Sequence, residues 1–226
     1  MAVKVNFEGL SREMIALRVS REIKEGSYVN LGIGIPTLVS NWIEGMDVAL
    51  QAEDGMLKTG PLAYGDDVNQ DCINASCQAV TALPGSSFFD IVESFTMIRG
   101  GHIDVAVMGA LQVNDKGDYA GWLTPSRGMS VGNIGGSMDL AAGANKLYIA
   151  MEHVTKSGEL KIVKKLSYPA TTVGRVSMIF TDLAVMEVTS QGLVLREVIP
   201  GLTAEDVQSV TEPKLIISTD FKEMEL

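Results

Sequence analysis

The chain has 226 residues, 46% of them hydrophobic, which is enough to bury a sizeable core in one domain. Its formal net charge of −10 argues against nucleic acid or an anionic membrane as the main partner. The N-terminus lacks the apolar core of a signal peptide, and later apolar runs are interrupted by Gly, Asp or Pro. We therefore expect a cytoplasmic protein that does not span a membrane.

The first quarter of the chain alternates between helical and extended patterns. Four elements are predicted there: a helix over 11–26, a strand over 27–34, a helix over 35–43 and a strand over 46–52. Ser11 is a suitable N-cap for the first helix, and Gly26 is suited to end it. Pro36 fits the first turn of the second helix. The second strand ends immediately before Glu53.

The same alternation continues to the end of the chain. The patterns predict a loop over 58–71, a helix over 86–101, a strand over 103–113, a turn over 114–118, a short strand over 119–123 and a glycine-rich loop over 125–136. They then predict strands over 145–152, 177–188 and 192–198, and a last helix over 203–210 before the segment "KLIIS". This order predicts an α/β fold with an open, mostly parallel sheet, flanking helices and a mixed edge. No repeat or linker composition divides the chain, so residues 1–226 are expected to form a single domain.

The few cysteines and histidines do not suggest a metal site. Cys72 and Cys77 form no CxxC pair and have no histidine near them in the sequence. His102 and His153 are far apart and lack an accompanying acidic cluster. We expect two reduced thiols and no bound metal.

The segment "NLGIGIP" is the first candidate for binding. It follows a predicted strand and opens a predicted helix, so N–H groups around Gly32 and Gly34 could hold an anion. It differs from the GxGxxG dinucleotide fingerprint because the third glycine is absent and Pro36 intervenes. The alternative is a turn with a purely structural role.

Glu53 is the candidate for chemistry. It follows an apolar strand, and ligands of open α/β sheets bind at the carboxyl ends of strands. A carboxylate held there could be a general base, a metal ligand or a nucleophile. The alternative is a surface turn in which Asp54 and Gly55 make the bend.

The loop over 125–136 ends in Gly135 and Gly136, just before a predicted helix start. Backbone N–H groups at that position could stabilise a developing oxyanion. The alternative is a connector that only bends. No serine lies in a GxSxG elbow, so acyl transfer through serine lacks its usual signature.

In this order the segments resemble the B (β) subunit of family I CoA-transferases, the 3-oxoacid and acetate-acetoacetate CoA-transferase group. The resemblance covers about residues 12 to 220. The matching stretches are "YVNLGIGIPTLVSNWI", "LQAEDGML", "LPGSSFFD", "SFTMIRGGHIDVAVMGALQV", "GGSMDL" and "AMEH". Each is modest alone, and the ordered set is specific.

The resemblance implies an enzyme, a CoA-transferase in which Glu53 is the nucleophile. The Glu53 carboxylate attacks an acyl-CoA to give a mixed anhydride, and the CoA thiolate then forms a Glu53–CoA thioester that reacts with an acceptor carboxylate. Ping-pong kinetics and a short-chain acid, such as a 3-oxo acid, are implied. Coenzyme A is then a substrate, and no tightly bound cofactor is expected.

The resemblance also implies roles around Glu53. The asparagine matching Asn30 lines the pocket, and Gly55 gives room for the acyl adduct. The turn containing Gly32 and Gly34 helps to hold substrate or CoA.

Two further positions take roles from the resemblance. Gly136 contributes an oxyanion N–H, with Gly135 beside it, and another donor comes from the partner subunit. Cys77 stands where the family usually has a glycine or a lysine, so it removes a possible lysine contact to CoA.

The resemblance finally implies a partner. An A subunit forms the other half of the site and carries much of the CoA binding, so we expect an α2β2 hetero-oligomer and little activity from this chain alone. Two other hypotheses keep the fold: an acyl-CoA hydrolase, in which water attacks the Glu53 adduct, and a sensor subunit that binds acyl-CoA without turnover.

Overall fold

A computed structural model describes residues 8–123 and 134–226 of the chain. The helices are α1 (Arg12–Ser20), α2 (Ile91–Arg99), α3 (Ser137–Gly143) and α4 (Ala204–Ser209), with 3-10 helices at Pro36–Trp42 and Gly65–Asp67. The strands are β1 (Tyr28–Leu31), β2 (Ala49–Ala52), β3 (Met56–Leu62), β4 (Val80–Phe88), β5 (Val105–Met108), β6 (Gln112–Asn114), β7 (Tyr119–Ala120), β8 (Lys146–Ala150), β9 (Ile162–Val163), β10 (Val176–Phe180), β11 (Ala184–Thr189), β12 (Gly192–Val198) and β13 (Leu215–Glu223).

A ten-stranded sheet organises the fold, in the order β13-β12-β11-β10-β8-β5-β1-β2-β3-β4. Its central strands β2, β1, β5, β8 and β10 run parallel. These strands are short apolar runs, as expected when helices cover both faces of a parallel sheet, and every residue of β5 is buried. The predicted α/β class with an open, mostly parallel sheet is confirmed.

Antiparallel pairing occurs on both sides of the parallel centre. β11 pairs antiparallel with β10 and β12 on one side, which is the mixed edge that the sequence predicted. β3 pairs antiparallel with β2 and β4 on the other side, which was not predicted. β6, β7 and β9 form a separate three-stranded sheet.

The first helix begins where predicted and ends earlier. The Ser11 hydroxyl accepts a hydrogen bond from the Met14 N–H at 3.3 Å, as an N-cap does. The helix ends at Ser20 and not at Gly26, because Ile23 N–H donates to the Ser20 carbonyl at 3.1 Å and tightens the chain into a turn. Gly26, with φ +77°, belongs to a later turn.

Two predicted long strands are each divided in the structure. The run over 103–113 becomes β5 and β6, which belong to different sheets because the chain leaves the main sheet after Met108. The run over 177–188 becomes the antiparallel pair β10 and β11. Its turn is stabilised by the Thr181 hydroxyl, which accepts hydrogen bonds from the N–H groups of Leu183 and Ala184.

The predictions between residues 56 and 101 need the largest corrections. The first five residues of the expected loop over 58–71 belong to strand β3, and the first three residues of the expected helix over 86–101 belong to strand β4. Pro61 falls where the β3–β4 register shifts, so it is tolerated inside a strand. α2 begins after Asp90, whose side chain accepts from Glu93 N–H at 2.9 Å.

The remaining elements agree with the prediction more closely. The helix expected over 35–43 is the 3-10 helix Pro36–Trp42. Short strand β9 was missed, and most of the loop over 125–136 lies outside the described residues. Within residues 8–123 and 134–226, no helix is long and apolar enough to cross a membrane.

His153 connects three elements inside the core. Its Nδ1 and Nε2 atoms hydrogen-bond with the hydroxyls of Thr181, at 3.0 Å, and Thr211, at 2.9 Å. These bonds join the segment after β8 to the β10–β11 turn and to the end of α4. Burial, with a smaller contribution from the positive charge of Lys161, lowers the pKa of His153 from 6.5 to about 3.

The depressed pKa of His153 predicts a pH-dependent stability. Because the folded pKa lies below the unfolded value, the stabilisation is complete above pH 6.5 and is lost as the pH falls toward 3. At pH 5 the loss is about 2 kcal/mol. Urea unfolding of the full chain and of His153→Gln at pH 7 and pH 5 measures it. The variant should show a smaller decrease than the wild type, and equal decreases would contradict the assignment.

Candidate active site

An open cavity of about 700 Å³ lies at the carboxyl ends of β1, β2 and β5. This is the edge at which open α/β sheets bind ligands. Five residues singled out from the sequence line it: Asn30, Gly32, Glu53, Gly135 and Gly136. Gly34, Gly55 and Cys77 are not among its lining residues.

Glu53 stands in a tight turn between β2 and β3. Gly55 N–H donates to the Ala52 carbonyl at 3.1 Å, which closes the turn. Glu53 is half-buried and faces the cavity, whereas the neighbouring Asp54 is exposed at the cavity mouth. Glu53 also borders a second, smaller cavity of about 30 Å³. Its carboxylate is therefore held at the wall of the site.

Gly136 lies close to the Glu53 side chain. Gly136 is buried and immediately precedes α3. A Cβ atom added at Gly136 would lie 3.5 Å from Glu53 Cγ and 3.0 Å from Phe95 Cζ. The close approach that glycine allows here is to Phe95, and the structure brings Gly136 and Glu53, which the sequence suggested separately, to the same cavity.

In the turn around Gly32, the Gly32 N–H is not available to bind an anion. Gly32 N–H donates to the Val107 carbonyl at 2.9 Å, so this N–H is already used to join β1 to β5. Thr37 Oγ1 donates to the Gly32 carbonyl at 2.8 Å and fixes the start of the 3-10 helix. Gly34 is exposed with φ +88°, a conformation that favours glycine. The Gly32 N–H therefore has a structural use, and binding of substrate or CoA by this turn stays a prediction.

Gly55 has a structural role as well. Its φ is +127°, and a methyl group at this position would overlap the carbonyl oxygen of Phe89. Phe89 N–H in turn donates to the Gly55 carbonyl at 3.0 Å. The direction in which a Gly55 side chain would point is occupied by the backbone before α2, and the role of Gly55 in giving room to an adduct stays a prediction.

Replacing Gly55 by alanine should lower the free energy of unfolding by about 2–3 kcal/mol, from backbone strain and overpacking together. Gly45→Ala is a matched control, since Gly45 also has positive φ, +86°, but no atom lies within 4 Å of an added Cβ. That variant should lose about 1 kcal/mol. Denaturant unfolding measures both, and equal losses would show that the Phe89 contact is unimportant.

The cysteines remain separate thiols, as predicted. Cys72 is buried and Cys77 is exposed, with no disulfide between them. Cys77 has φ +57° and its N–H donates to the Asn74 carbonyl at 2.9 Å in a turn whose Ala75 reaches the cavity. In the described ranges, no group of His, Cys, Asp and Glu side chains could hold a metal ion.

Sequence reasoning missed a polar network beneath the cavity. Asn30 Nδ2 donates to the Gln51 carbonyl at 3.1 Å and to Gln51 Oε1 at 3.0 Å. Gln51 Nε2 donates to Ser94 Oγ at 2.8 Å. The available signal was a glutamine inside the apolar strand "VALQA", where a polar residue needs a partner.

Comparisons with known proteins identify the family of the chain. Residues 12–209 match the family described as coenzyme A transferase. The chain is 47% identical to the B subunit of 3-oxoadipate CoA-transferase from Pseudomonas putida, over 92% of this chain and 97% of the relative. It is 44% identical to the B subunit of succinyl-CoA:3-ketoacid coenzyme A transferase from Helicobacter pylori, over 89% and 96%.

Solved structures share the fold at low sequence identity. An acyl-CoA transferase of Escherichia coli O157:H7 has a TM-score of 0.78 at 19% identity; the match covers all of this chain and 45% of that one. Glutaconate coenzyme A-transferase of Acidaminococcus fermentans has a TM-score of 0.71 at 16% identity, covering 99% and 91%. The decarboxylase AibA/AibB also reaches 0.66 at 17% identity, covering 97% and 90%, so the fold alone does not decide the reaction.

Proposed function

Because the chain belongs to the coenzyme A transferase family, as a B-type subunit, we propose that it moves CoA from an acyl-CoA to a short-chain carboxylate through a thioester on Glu53. The observation that carries the proposal is the placement of Glu53. Its side chain lies at the strand end, lines the large cavity and is close to Gly136, where an added Cβ would lie 3.5 Å from Glu53 Cγ. No other carboxylate combines these features among the residues described.

The proposed steps exchange one acyl bond at a time. A Glu53 oxygen attacks the acyl-CoA carbonyl, the C–S bond breaks, and CoA leaves as a thiolate. The thiolate attacks the glutamyl carbonyl of the mixed anhydride and releases the donor acid. The acceptor carboxylate then attacks the Glu53 thioester, and the reverse sequence yields the new acyl-CoA and free Glu53. Splitting one exchange into several steps is what covalent catalysis offers.

The backbone around Gly135 and Gly136 is proposed to stabilise the oxyanion of each tetrahedral intermediate. The support is proximity, because Gly136 lines the same cavity as Glu53 and a Cβ added there would lie 3.5 Å from Glu53 Cγ. Donors fixed beside a developing charge are effective because they need no reorganisation.

A partner subunit of the A type is proposed to complete the site, since the relatives named above are B subunits. The cavity is open, and Ile33, Ile91 and Met138 leave apolar surface around it exposed. Coenzyme A enters as a substrate, and the chemistry proposed for Glu53 needs no tightly bound cofactor.

The substrate is proposed to be a short-chain carboxylate such as a 3-oxo acid. Relatives are named for 3-oxoadipate, a 3-ketoacid and acetate, which all fall in that class. The test is CoA transfer by this chain co-expressed with its A subunit, supplied with acyl-CoA and acceptor acids. Product acyl-CoA should form only when an acceptor is present. Release of free thiol without an acceptor would favour a hydrolase, and binding without turnover would favour a sensor.

A further inference from the structure

A further cavity of about 540 Å³ lies beside the three-stranded sheet. Leu111 lines both this cavity and the large cavity that contains Glu53, so the two adjoin. Lys161, immediately before β9, also lines it, and we call it the Lys161 cavity. The covalent steps proposed for Glu53 make no use of this space.

Lys161 is a buried cation without a direct partner. Only 8% of the residue is exposed, and its ammonium makes no hydrogen bond or ion pair with residues 8–123 and 134–226. Fully enclosed side-chain atoms that lack a partner occur in these ranges at Asn30, Tyr119 and Trp122, and Lys161 Nζ is not among them. The ammonium therefore keeps access to the cavity that Lys161 lines.

Two acidic side chains act on this ammonium at longer range, and both are engaged elsewhere. Glu152 pairs with Arg12 at 2.7 Å, and Asp182 Oδ1 accepts a hydrogen bond from a backbone N–H at 2.6 Å. Burial lowers the pKa of Lys161 by more than these two charges raise it. Outside the described residues, segments 1–7 and 124–133 contain no Asp or Glu. No carboxylate of this chain therefore pairs directly with the ammonium, and since buried charges are normally paired, another molecule must supply its counter-charge.

The charges around the cavity indicate what kind of molecule that is. Glu159 and Glu212 line the Lys161 cavity as well, so its lining carries two negative charges and one positive charge. A free polyanion would be repelled by both glutamates and by a chain of net charge −10. A protein segment that carries an acidic and a basic side chain fits this arrangement, because each charge then meets its opposite.

We propose that the Lys161 cavity is a docking site for the A subunit, in which an acidic side chain of that subunit pairs with Lys161 and a basic one faces Glu159 and Glu212. The position of the cavity supports this partner, since it adjoins the active-site cavity that the A subunit is proposed to complete. The inference rests on the proposed function only in taking an A subunit as the partner. Lys161 binds the partner and takes no part in the chemistry.

The test measures assembly and folding of Lys161→Met separately. The A subunit is titrated into the full chain to obtain Kd, and the isolated chain is unfolded in denaturant to obtain its midpoint. Kd should rise roughly 30-fold or more, because the acidic group of the A subunit is left buried without its partner. The midpoint of the isolated chain should stay equal or rise, because methionine removes a buried charge that this chain does not pair.

Lys146→Met is the matched control. Lys146 is exposed at the amino end of β8, which is the opposite end of the parallel strands from the large cavity, so this variant removes the same charge at a distance. It should keep the wild-type Kd. An unchanged Kd in Lys161→Met would overturn the inference. A lowered midpoint of the isolated Lys161→Met chain would also overturn it, since that is the result of a purely structural role.

A free anion is the other occupant that the test distinguishes. Acetate or inorganic phosphate that raises the midpoint of the wild-type chain and not that of Lys161→Met, with equal Kd for the A subunit, would assign the site to a free anion and overturn the inference. Assembly does not need the covalent steps, so Glu53→Gln should give the wild-type Kd. A wild-type chain that assembles and transfers no CoA would refute only the proposed function, whereas one that binds no A subunit would refute both.

Discussion

Glu53→Gln in the assembled enzyme is expected to lower the rate of CoA transfer by roughly 10,000-fold, because the amide cannot form the mixed anhydride. The side chain keeps its size and its place at the cavity wall, so acyl-CoA binding should survive. Initial rates with saturating donor and acceptor measure the loss.

Asp54→Asn is the matched control for this substitution. It removes one negative charge from the adjacent residue, which is exposed at the cavity mouth. Most of the activity should remain, since Asp54 has no proposed covalent role. Similar rates for the two variants would refute Glu53 as the nucleophile.

The largest expected loss of stability comes from the ion pair between α1 and β12. Arg18 donates to Glu197 through Nε at 2.7 Å and through Nη2 at 2.9 Å, and both residues are buried. Burial alone would lower the pKa of Arg18, but the hydrogen bond and charge of Glu197, helped by Glu22, outweigh it and raise that pKa. The Arg18 guanidinium also lies 5.6 Å from the centroid of the Phe180 ring.

Arg18→Met should therefore lower the free energy of unfolding by about 3–5 kcal/mol, because Glu197 is left as an unpaired buried charge. Replacing Glu197 by methionine as well should restore part of the loss. Arg12→Met is the control: the Arg12–Glu152 pair, at 2.7 Å, is largely exposed, and its removal should cost less than about 1 kcal/mol. Denaturant unfolding distinguishes the two, and comparable losses would contradict the buried-pair account.

Local patterns predicted the elements whose boundaries depend on local chemistry. Ser11 caps α1, β1 leads into the glycine turn, and β2 ends just before Glu53. The Glu53 turn was therefore placed at the correct edge of the sheet from the sequence. That edge is set by the direction of parallel strands, which follows from the alternation of strands and helices.

Elements that depend on distant pairing were missed. β3 contains Gly60 and Pro61, which locally indicate a loop, and it exists because β2 and β4 flank it. The division of 103–113 into β5 and β6 likewise depends on the second sheet. Such pairing is a tertiary effect that overrides local propensity.

The candidate site was predicted only in part, because some of its contacts also join residues that are distant in sequence. Glu53, Asn30 and Gly136 were singled out from motifs, and the structure places all three at one cavity. The roles of Gly55 and Gln51 could not be read from their neighbours in the chain. The role of Gly55 depends on its contact with Phe89, and that of Gln51 depends on its contact with Ser94. Both partners are distant in sequence.

Intact-mass measurement of this chain tests the central claim most directly. The assembled enzyme is incubated with an acyl-CoA and no acceptor acid. Formation of the thioester joins Glu53 to CoA as the donor acid leaves, so the chain should gain the mass of CoA less one water, on the peptide that contains Glu53, and Glu53→Gln should gain nothing. A wild-type chain that transfers CoA yet never carries this added mass would contradict the covalent route.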